Sequence, residues 1–272
     1  MLIDGRPATT LPLADRGLAY GDGLFETIRV TQGRLLYPEQ HFARLAVGCA
    51  RLGLSADFTA LRQECTQALQ QAASAEGVLK IMLTRATGGR GYRPAIGTGS
   101  TRILTLHPLP DYSSLHPETG IKTFLCQQRL AHQPVLAGLK HLNRLEQVLA
   151  SREWPDDSFL EGLMLDSAGL LIEGTRSNVF LVYEGRLLTP SLHNCGVDGI
   201  MRQVLLGYFG TAASVVNCPR DWLHDASELF VCNSVVGVWP VRELHVDGTV
   251  YHYTSGPQAQ VARDYFLQAL QS

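Results

Sequence analysis

Along the first hundred positions the apolar residues alternate between a period of two and a period near 3.6. Residues 26–30 and 34–37 show the two-residue alternation on either side of Thr31-Gln32-Gly33, which predicts a β-hairpin. A helix is expected next. Pro38 suits its first position, Phe42, Leu45, Ala46, Cys49 and Leu52 share one face, and Gly53 supplies the stop. A second helix near 57–73 puts Phe58, Leu61, Cys65, Ala68, Leu69 and Ala72 inward. Strands are expected at 78–86 and 101–107. Between them lies the glycine-rich run Thr87-Gly88-Gly89-Arg90-Gly91-Tyr92-Arg93-Pro94, whose backbone can approach a ligand closely.

The prolines and paired serines of 109–119 interrupt the pattern and read as an interdomain linker. Beyond it the chain is richer in strands, predicted at 121–127, 161–166, 170–173, 178–182 and 186–189. Helices are expected at 143–153, at 199–209, and after Pro257, where Val261, Ala262, Tyr265, Phe266 and Ala269 form a stripe. The expected architecture is therefore α/β (α+β) in two domains. A smaller N-terminal α/β domain (1–108) and a larger strand-rich C-terminal domain (120–272) flank the linker (109–119).

Composition narrows the function classes. Of 272 residues 45% are hydrophobic and 18% charged, and 23 basic against 25 acidic residues leave a net charge of -2. No nucleic-acid or anionic-membrane footprint exists at that balance, and a small-molecule partner is expected. Apolar runs such as 78–83 fall far short of the roughly 20 residues that span a bilayer. Residues 1–6 lack the basic start and long apolar stretch of a secretory signal, so a cytoplasmic location is expected. The six cysteines form no CxxC pair and the histidines no ligand cluster. Reduced core thiols and no metal site are expected.

Several residues carry two readings. Lys140 lies in the apolar run Ala137-Gly138-Leu139-Lys140-His141-Leu142, where desolvation would suit a Schiff-base lysine; the plainer reading is a solvated lysine at a helix start. Glu173 ends an apolar strand before Gly174-Thr175-Arg176-Ser177-Asn178. It suits a partner for a cationic ring nitrogen, or else a surface ion pair with Arg176. Gly196-Val197-Asp198-Gly199-Ile200-Met201-Arg202 enters a helix through two glycines, as a phosphate cup would, or as a helix capped by Asp198. Arg44 reaches a phosphate or sits on a solvated face. Ser234, just past an apolar strand, donates to the same phosphate or caps a turn. The sequence contains no GxSxG elbow and no HExxH pair.

Taken in order, Asp15-Arg16-Gly17-Leu18-Ala19-Tyr20-Gly21-Asp22-Gly23-Leu24-Phe25-Glu26-Thr27, His41-Phe42-Ala43-Arg44-Leu45, Lys140, Glu173 to Asn178 and Gly199-Ile200-Met201-Arg202 resemble the fold-type IV pyridoxal-phosphate enzymes. This is the branched-chain and D-amino-acid aminotransferase superfamily, and the resemblance spans essentially the whole chain. Gly88-Gly89-Arg90-Gly91-Tyr92, and more narrowly Lys140-His141-Leu142-Asn143-Arg144-Leu145-Glu146-Gln147, are similar to its lyase branch.

The resemblance implies pyridoxal 5'-phosphate as cofactor, a homodimer, and aminodeoxychorismate as substrate, with 4-aminobenzoate and pyruvate as products. It implies that Lys140 holds the cofactor covalently and Glu173 pairs with the pyridine nitrogen. Arg44 and Ser234 would bind phosphate with the backbone of Gly199, Ile200 and Met201, and Asn178 would belong to the cofactor wall. A substrate with two carboxylates calls for cationic and hydroxyl groups, for which Arg90 and Tyr92 are the candidates, with Phe25 and Thr27 as an opposite wall. One departure bears on the branch: where branched-chain aminotransferases place a tyrosine shortly after the lysine, this chain has Leu145. An aminotransferase using the same lysine, a cofactor-carrying module without turnover, and a plain α/β scaffold remain the competing readings.

Overall fold

The computed structural model describes residues 1–271. The chain divides into two compact units, one formed by Met1–Leu109 with Leu139–Asn143, the other by Pro110–Gly138 with the chain from Arg144 onward.

The first unit is built on a six-stranded antiparallel sheet. Its strands are β1 (Leu2–Ile3), β2 (Arg6–Pro7), β3 (Gly23–Thr31), β4 (Arg34–Leu35), β5 (Gly77–Thr84) and β6 (Thr101–His107), in the order β2-β1-β6-β5-β3-β4. Helices α1 (Arg16–Tyr20), α2 (Pro38–Leu52) and α3 (Phe58–Gln70) complete it. Period-two alternation sends Leu24, Glu26, Ile28 and Val30 of β3 inward. Phe42, Leu45 and Cys49 of α2 join them in the core. Helix and strand meet closely, since a Cβ added to Gly48 would lie 2.7 Å from Leu24 Cδ1. That contact corrects the expected helix face: Gly48 is buried and Ala46 is exposed. Gly53 ends α2 at φ 62°, a left-handed conformation that favours glycine. The Asp57 carboxylate caps α3 by accepting from the Ala60 amide.

The second unit carries a ten-stranded sheet. Its elements are β7 (Ile121–Leu125), α4 (Leu145–Ser151), β8 (Phe159–Leu165), β9 (Leu170–Gly174), β10 (Asn178–Tyr183), β11 (Arg186–Pro190), α5 (Ile200–Phe209), β12 (Ala213–Val216), β13 (Cys218–Pro219), α6 (Trp222–Asp225), β14 (Glu228–Asn233), β15 (Gly237–Val246), β16 (Thr249–His252) and α7 (Pro257–Gln271). Strand order is β12-β11-β10-β14-β15-β7-β8-β9-β13, with β16 on β15. Strand β8 is buried at every position and β10 at all but its last, so both faces are covered and the sequence reads as an apolar run rather than an alternation. Phe180 and Phe230 stack face to face at 5.1 Å between centroids in this core. The Glu228 carboxylate accepts from the Gln258 and Ala259 amides, satisfying the start of α7.

Two segments fall differently from expectation. The 109–119 stretch contains two single-turn 3-10 helices, Ser113–Leu115 and Pro117–Thr119, and Tyr112 packs edge-on against Trp239. The Lys140 segment lies in the first unit because Lys140 C=O accepts from the Phe25 amide and the Leu142 amide donates to Gly23 C=O. Helix α4 consequently begins at Leu145 rather than 143.

All six cysteines are buried and unbridged. Burial pushes the Cys49 thiol up to about 11 and the Cys65 thiol up to about 12, so these thiols are inert. Among the described residues no helix is long and apolar enough to cross a membrane, and no group of residues is suited to hold a metal ion.

Candidate active site

In the first unit Lys140 is half-buried on extended backbone laid against the start of β3. Its Nζ lies 4.4 Å from the centroid of the Phe25 ring. Two backbone hydrogen bonds to Gly23 and Phe25 fix the segment, so the lysine is held by tertiary contacts rather than at a helix start. Phe25 and Thr27 are half-buried on the face of β3 opposite Glu26, whose position is nearly closed to solvent at 1% exposure.

Glu26 is the centre of a buried charged cluster. Arg44 Nε donates to Glu26 Oε1 at 2.8 Å while its Nη2 donates to Oε2, a two-pronged clamp. His41 Nδ1 donates to Glu26 Oε2 at 2.6 Å. Burial alone would raise the Glu26 carboxyl, but the charge and hydrogen bonds of Arg44 and His41 outweigh it and bring it to about 2. Burial lowers the His41 imidazole below its ordinary value despite Glu26, with Arg44 and Lys140 adding to the fall. A neutral ring donating from Nδ1 leaves Nε2 an acceptor, and that atom is buried without a partner among the described residues.

Arg90 and Tyr92 are exposed on the loop between β5 and β6. The loop is pinned from inside by Arg16, whose Nη1 and Nη2 donate to the carbonyls of Gly91 and Tyr92 at 2.9 and 2.8 Å. Tyr20 and Tyr92 rings meet at 5.6 Å.

The second unit gathers the other candidates at one end of its sheet. Asn178 begins β10 opposite Cys232 near the end of β14, and Ser234 follows in the turn after that strand. Glu173, 4% exposed, ends β9; its Oε2 accepts from the Val197 amide at 2.7 Å and its Oε1 from Gln147 Nε2 at 3.3 Å. Asn178 Nδ2 donates to Val197 C=O at 2.9 Å. One residue, Val197, thus ties the carboxylate and the amide together. Arg176 makes no ion pair with Glu173: its guanidinium donates to Tyr112 Oη and Leu160 C=O.

Helix α5 begins at Ile200 with Gly199 as its cap residue and no side-chain cap. Asp198 does not cap it, because its carboxylate is taken by Arg202 Nη1 at 2.8 Å and Gln203 Nε2 at 3.1 Å. The amides at the helix start are left aimed outward at the positive end of the dipole, a site suited to an anion. A Cβ on Gly199 would lie 1.9 Å from Asn178 Oδ1, so only glycine lets the chain pass there. Gly196, at φ 86°, has no room for a side chain either: a Cβ there would lie 2.8 Å from Ile172 Cγ2 and 3.3 Å from Glu173 Oε2.

The sequence reading gave Glu26, His41, Gln147 and Glu161 no functional role, although Glu26, His41 and Gln147 stand in the motifs it rests on. The signal for Glu26 was present: it occupies an inward position in the alternation of β3, and His41 and Arg44 stand three apart on the helix that follows. Nothing comparable marks Gln147, whose role depends on the spatial neighbour Glu173.

The chain belongs to the amino-transferase class IV family, whose model matches residues 23–244. Within that class it is similar to two lyases. It is 35% identical to the aminodeoxychorismate lyase of Vibrio harveyi over 246 residues, covering 89% of this chain and 90% of that one. It is 45% identical to the solved structure of 4-amino-4-deoxychorismate lyase from Pseudomonas aeruginosa, with a TM-score of 0.91 and 98% of each chain covered. A putative branched-chain-amino-acid aminotransferase of Methanocaldococcus jannaschii is 30% identical over 245 residues, 87% of this chain and 82% of that one.

Proposed function

We propose that this protein is a pyridoxal-phosphate-dependent lyase that converts 4-amino-4-deoxychorismate to 4-aminobenzoate and pyruvate in folate biosynthesis, acting as a cytoplasmic homodimer. The observation that carries this reading is the second unit's cluster: a buried carboxylate, Glu173, bonded to the Val197 amide two residues before an uncapped glycine-led helix start. A carboxylate for a cationic ring nitrogen and free amides for a phosphate are the donor set the cofactor requires, so the residues fit it.

When bound, the cofactor supplies an electron sink for the pair left behind by proton removal. Lys140 Nζ would hold it covalently and would take the proton from the substrate carbon that bears the amine nitrogen. Glu173 keeps a proton at the pyridine nitrogen, which sustains the sink. The amides of Ile200 and Met201, following Gly199, bind the phosphate together with Arg44 and Ser234, and Asn178 forms part of the wall. Arg90 and Tyr92 take the substrate carboxylates, with Phe25 and Thr27 opposite. Lys140, or in its place Thr27 or a water, would return a proton to the departing enolpyruvyl group, which would leave as pyruvate while the ring becomes aromatic.

Incubation of the pyridoxal-phosphate-loaded protein with aminodeoxychorismate tests the reading. Fluorescence of 4-aminobenzoate is expected to rise in step with pyruvate and without an added keto acid. Turnover that requires a keto acid and yields glutamate, with no pyruvate, would make the protein an aminotransferase instead.

A further inference from the structure

Four residues separate Glu173 from Asn178, and their turn is wrapped around a second buried carboxylate. Glu161, on β8, is 2% exposed. Its Oε1 accepts from Thr175 Oγ1 at 2.6 Å, from the Thr175 amide at 2.9 Å and from the Gly162 amide at 3.0 Å, and its Oε2 accepts from Ser177 Oγ at 2.6 Å. Gly174 has no room for a side chain here, since a Cβ would lie 2.4 Å from Ser177 Oγ and 2.7 Å from Glu161 Cδ. From the outer side Arg176 anchors the same turn to Leu160 C=O, and its own carbonyl accepts from Asn233 Nδ2.

No lysine, arginine or histidine forms an ion pair with Glu161 among the described residues. A buried carboxylate is a poor device for stability alone, because its desolvation is offset only by the donors that reach it. What four converging neutral donors do provide is geometry: Thr175 is held at its amide and its hydroxyl and Ser177 at its hydroxyl, two residues of the turn, while the Gly162 amide on β8 completes the shell. The turn's two ends are the Glu173 carboxylate and the Asn178 amide, which both bond to Val197.

We propose that Glu161 is a positioning residue: by gathering Thr175, Ser177 and Gly162 around its carboxylate it sets the turn that holds Glu173 and Asn178 in register with Val197. The inference rests on the proposed function only for the role of Glu173 as nitrogen partner. The placement of Glu173 itself is testable without any cofactor.

The test compares wild type with Glu161→Gln, which preserves size but brings an NH2 donor to a site where only acceptors are wanted. The Thr175 amide also donates to Gly162 C=O at 2.9 Å and keeps that bond in the variant, so the readout is Val197: in the apoprotein its amide hydrogen exchange is expected to accelerate about tenfold or more. In the loaded protein the pH dependence of the cofactor absorbance is expected to move toward that of Glu173→Gln. The turnover number should drop about tenfold or more, with KM changed less than about threefold. Thr189→Val serves as control. It removes a buried hydroxyl that donates to Val179 C=O at 2.8 Å in the same sheet, and should lower stability without altering Val197 exchange.

Unchanged Val197 exchange and unchanged cofactor spectra in Glu161→Gln overturn the proposal. If that variant fails to fold, the double variant Thr175→Val with Ser177→Ala decides by the same two readouts. A wild-type protein that takes up no pyridoxal phosphate defeats the functional reading, while accelerated Val197 exchange in the variant apoprotein still supports the positioning role.

Discussion

Replacing Glu26 with Gln should abolish an acid-dependent part of the first unit's stability. In the folded chain the carboxyl titrates at about 2, against an ordinary value of 4.5. At 1.36 kcal/mol per pH unit that gap corresponds to about 3 kcal/mol of stability at neutral pH. The folded-state value is depressed, so the unfolded chain takes up a proton first. The contribution is therefore complete above pH 4.5 and is lost as the pH falls toward 2. Glu26→Gln also strands Arg44, whose side chain is 8% exposed, without its counter-ion. Breaking a buried pair in this way costs roughly 3–5 kcal/mol.

The wild-type advantage should thus shrink by about 1.4 kcal/mol between pH 7 and pH 3.5, one pH unit below the ordinary value. Burial also depresses His41 and Glu26 offsets part of that fall, so His41 weakens the fold below pH 6.5 more in Glu26→Gln than in wild type. The comparison is therefore made in a His41→Asn background, which keeps a donor beside position 26 without a titrating ring. All three tryptophans, 154, 222 and 239, belong to the second unit, so their fluorescence is the wrong probe. Exchange of the Ile28 and Leu45 amides, both fully in the first core, reports the relevant opening free energy. An advantage that stays constant from pH 7 to 3.5 would refute the reasoning.

The other expectations concern the second unit and the lysine. Lys140→Ala should eliminate both pyruvate release and borohydride trapping of pyridoxal phosphate on the protein, read by mass spectrometry of the residue 140 peptide. Glu173→Gln should keep the cofactor bound but slow proton removal, visible as slower exchange of substrate-derived hydrogen with solvent deuterium. Gly199→Ala forces its Cβ onto Asn178 Oδ1, 1.9 Å away, and loss of the Asn178 bond to Val197 should weaken cofactor binding about tenfold, measured by titration of the apoprotein. Phe230→Ala removes the stacked partner of Phe180 from a fully buried site. It should cost roughly 3–5 kcal/mol, seen as a lower urea midpoint in tryptophan fluorescence.

Helix α2 was legible because Pro38 and Gly53 punctuate it and its apolar residues keep the helical period. Strand β3 was seen in its second half only. The alternation was read only from Glu26, yet Gly23 and Leu24 continue the pairing with Thr84 and Leu83. Elements of two to five residues, such as β1, β2 and α1, are too short for any period to register. Strand β15 carries Pro240, which argues against a strand, and its order comes from pairing with β14, β7 and β16 along successive stretches. The position of residues 140–142 was illegible because long-range bonds to Gly23 and Phe25 decide it. Lys140, Glu173 and the helix start stood out by their motifs, whereas nothing in the strand expected at 161–166 marks Glu161 until Thr175 and Ser177 are placed beside it.

The two hidden carboxylates differ in what holds them, and the difference predicts how each unit tolerates change. Glu26 is held by charge: Arg44 and His41 balance it, so altering any one of the three leaves an uncompensated group in the core of β3 and α2. Glu161 is held by shape: amides and hydroxyls from Gly162, Thr175 and Ser177 surround it, and the hydroxyls of Thr175 and Ser177 tie the turn to it. An apolar substitute of matching volume for the whole Glu26 cluster is compatible with a stable first unit, since desolvation is then relieved along with the ion pairs. No apolar set replaces Glu161 and its donors with the same result: the Thr175 amide keeps Gly162 C=O and the Gly174 amide keeps Ser177 C=O as acceptors, but the Thr175 and Ser177 hydroxyls lose the carboxylate that holds them, and with it the register of the turn between Glu173 and Asn178.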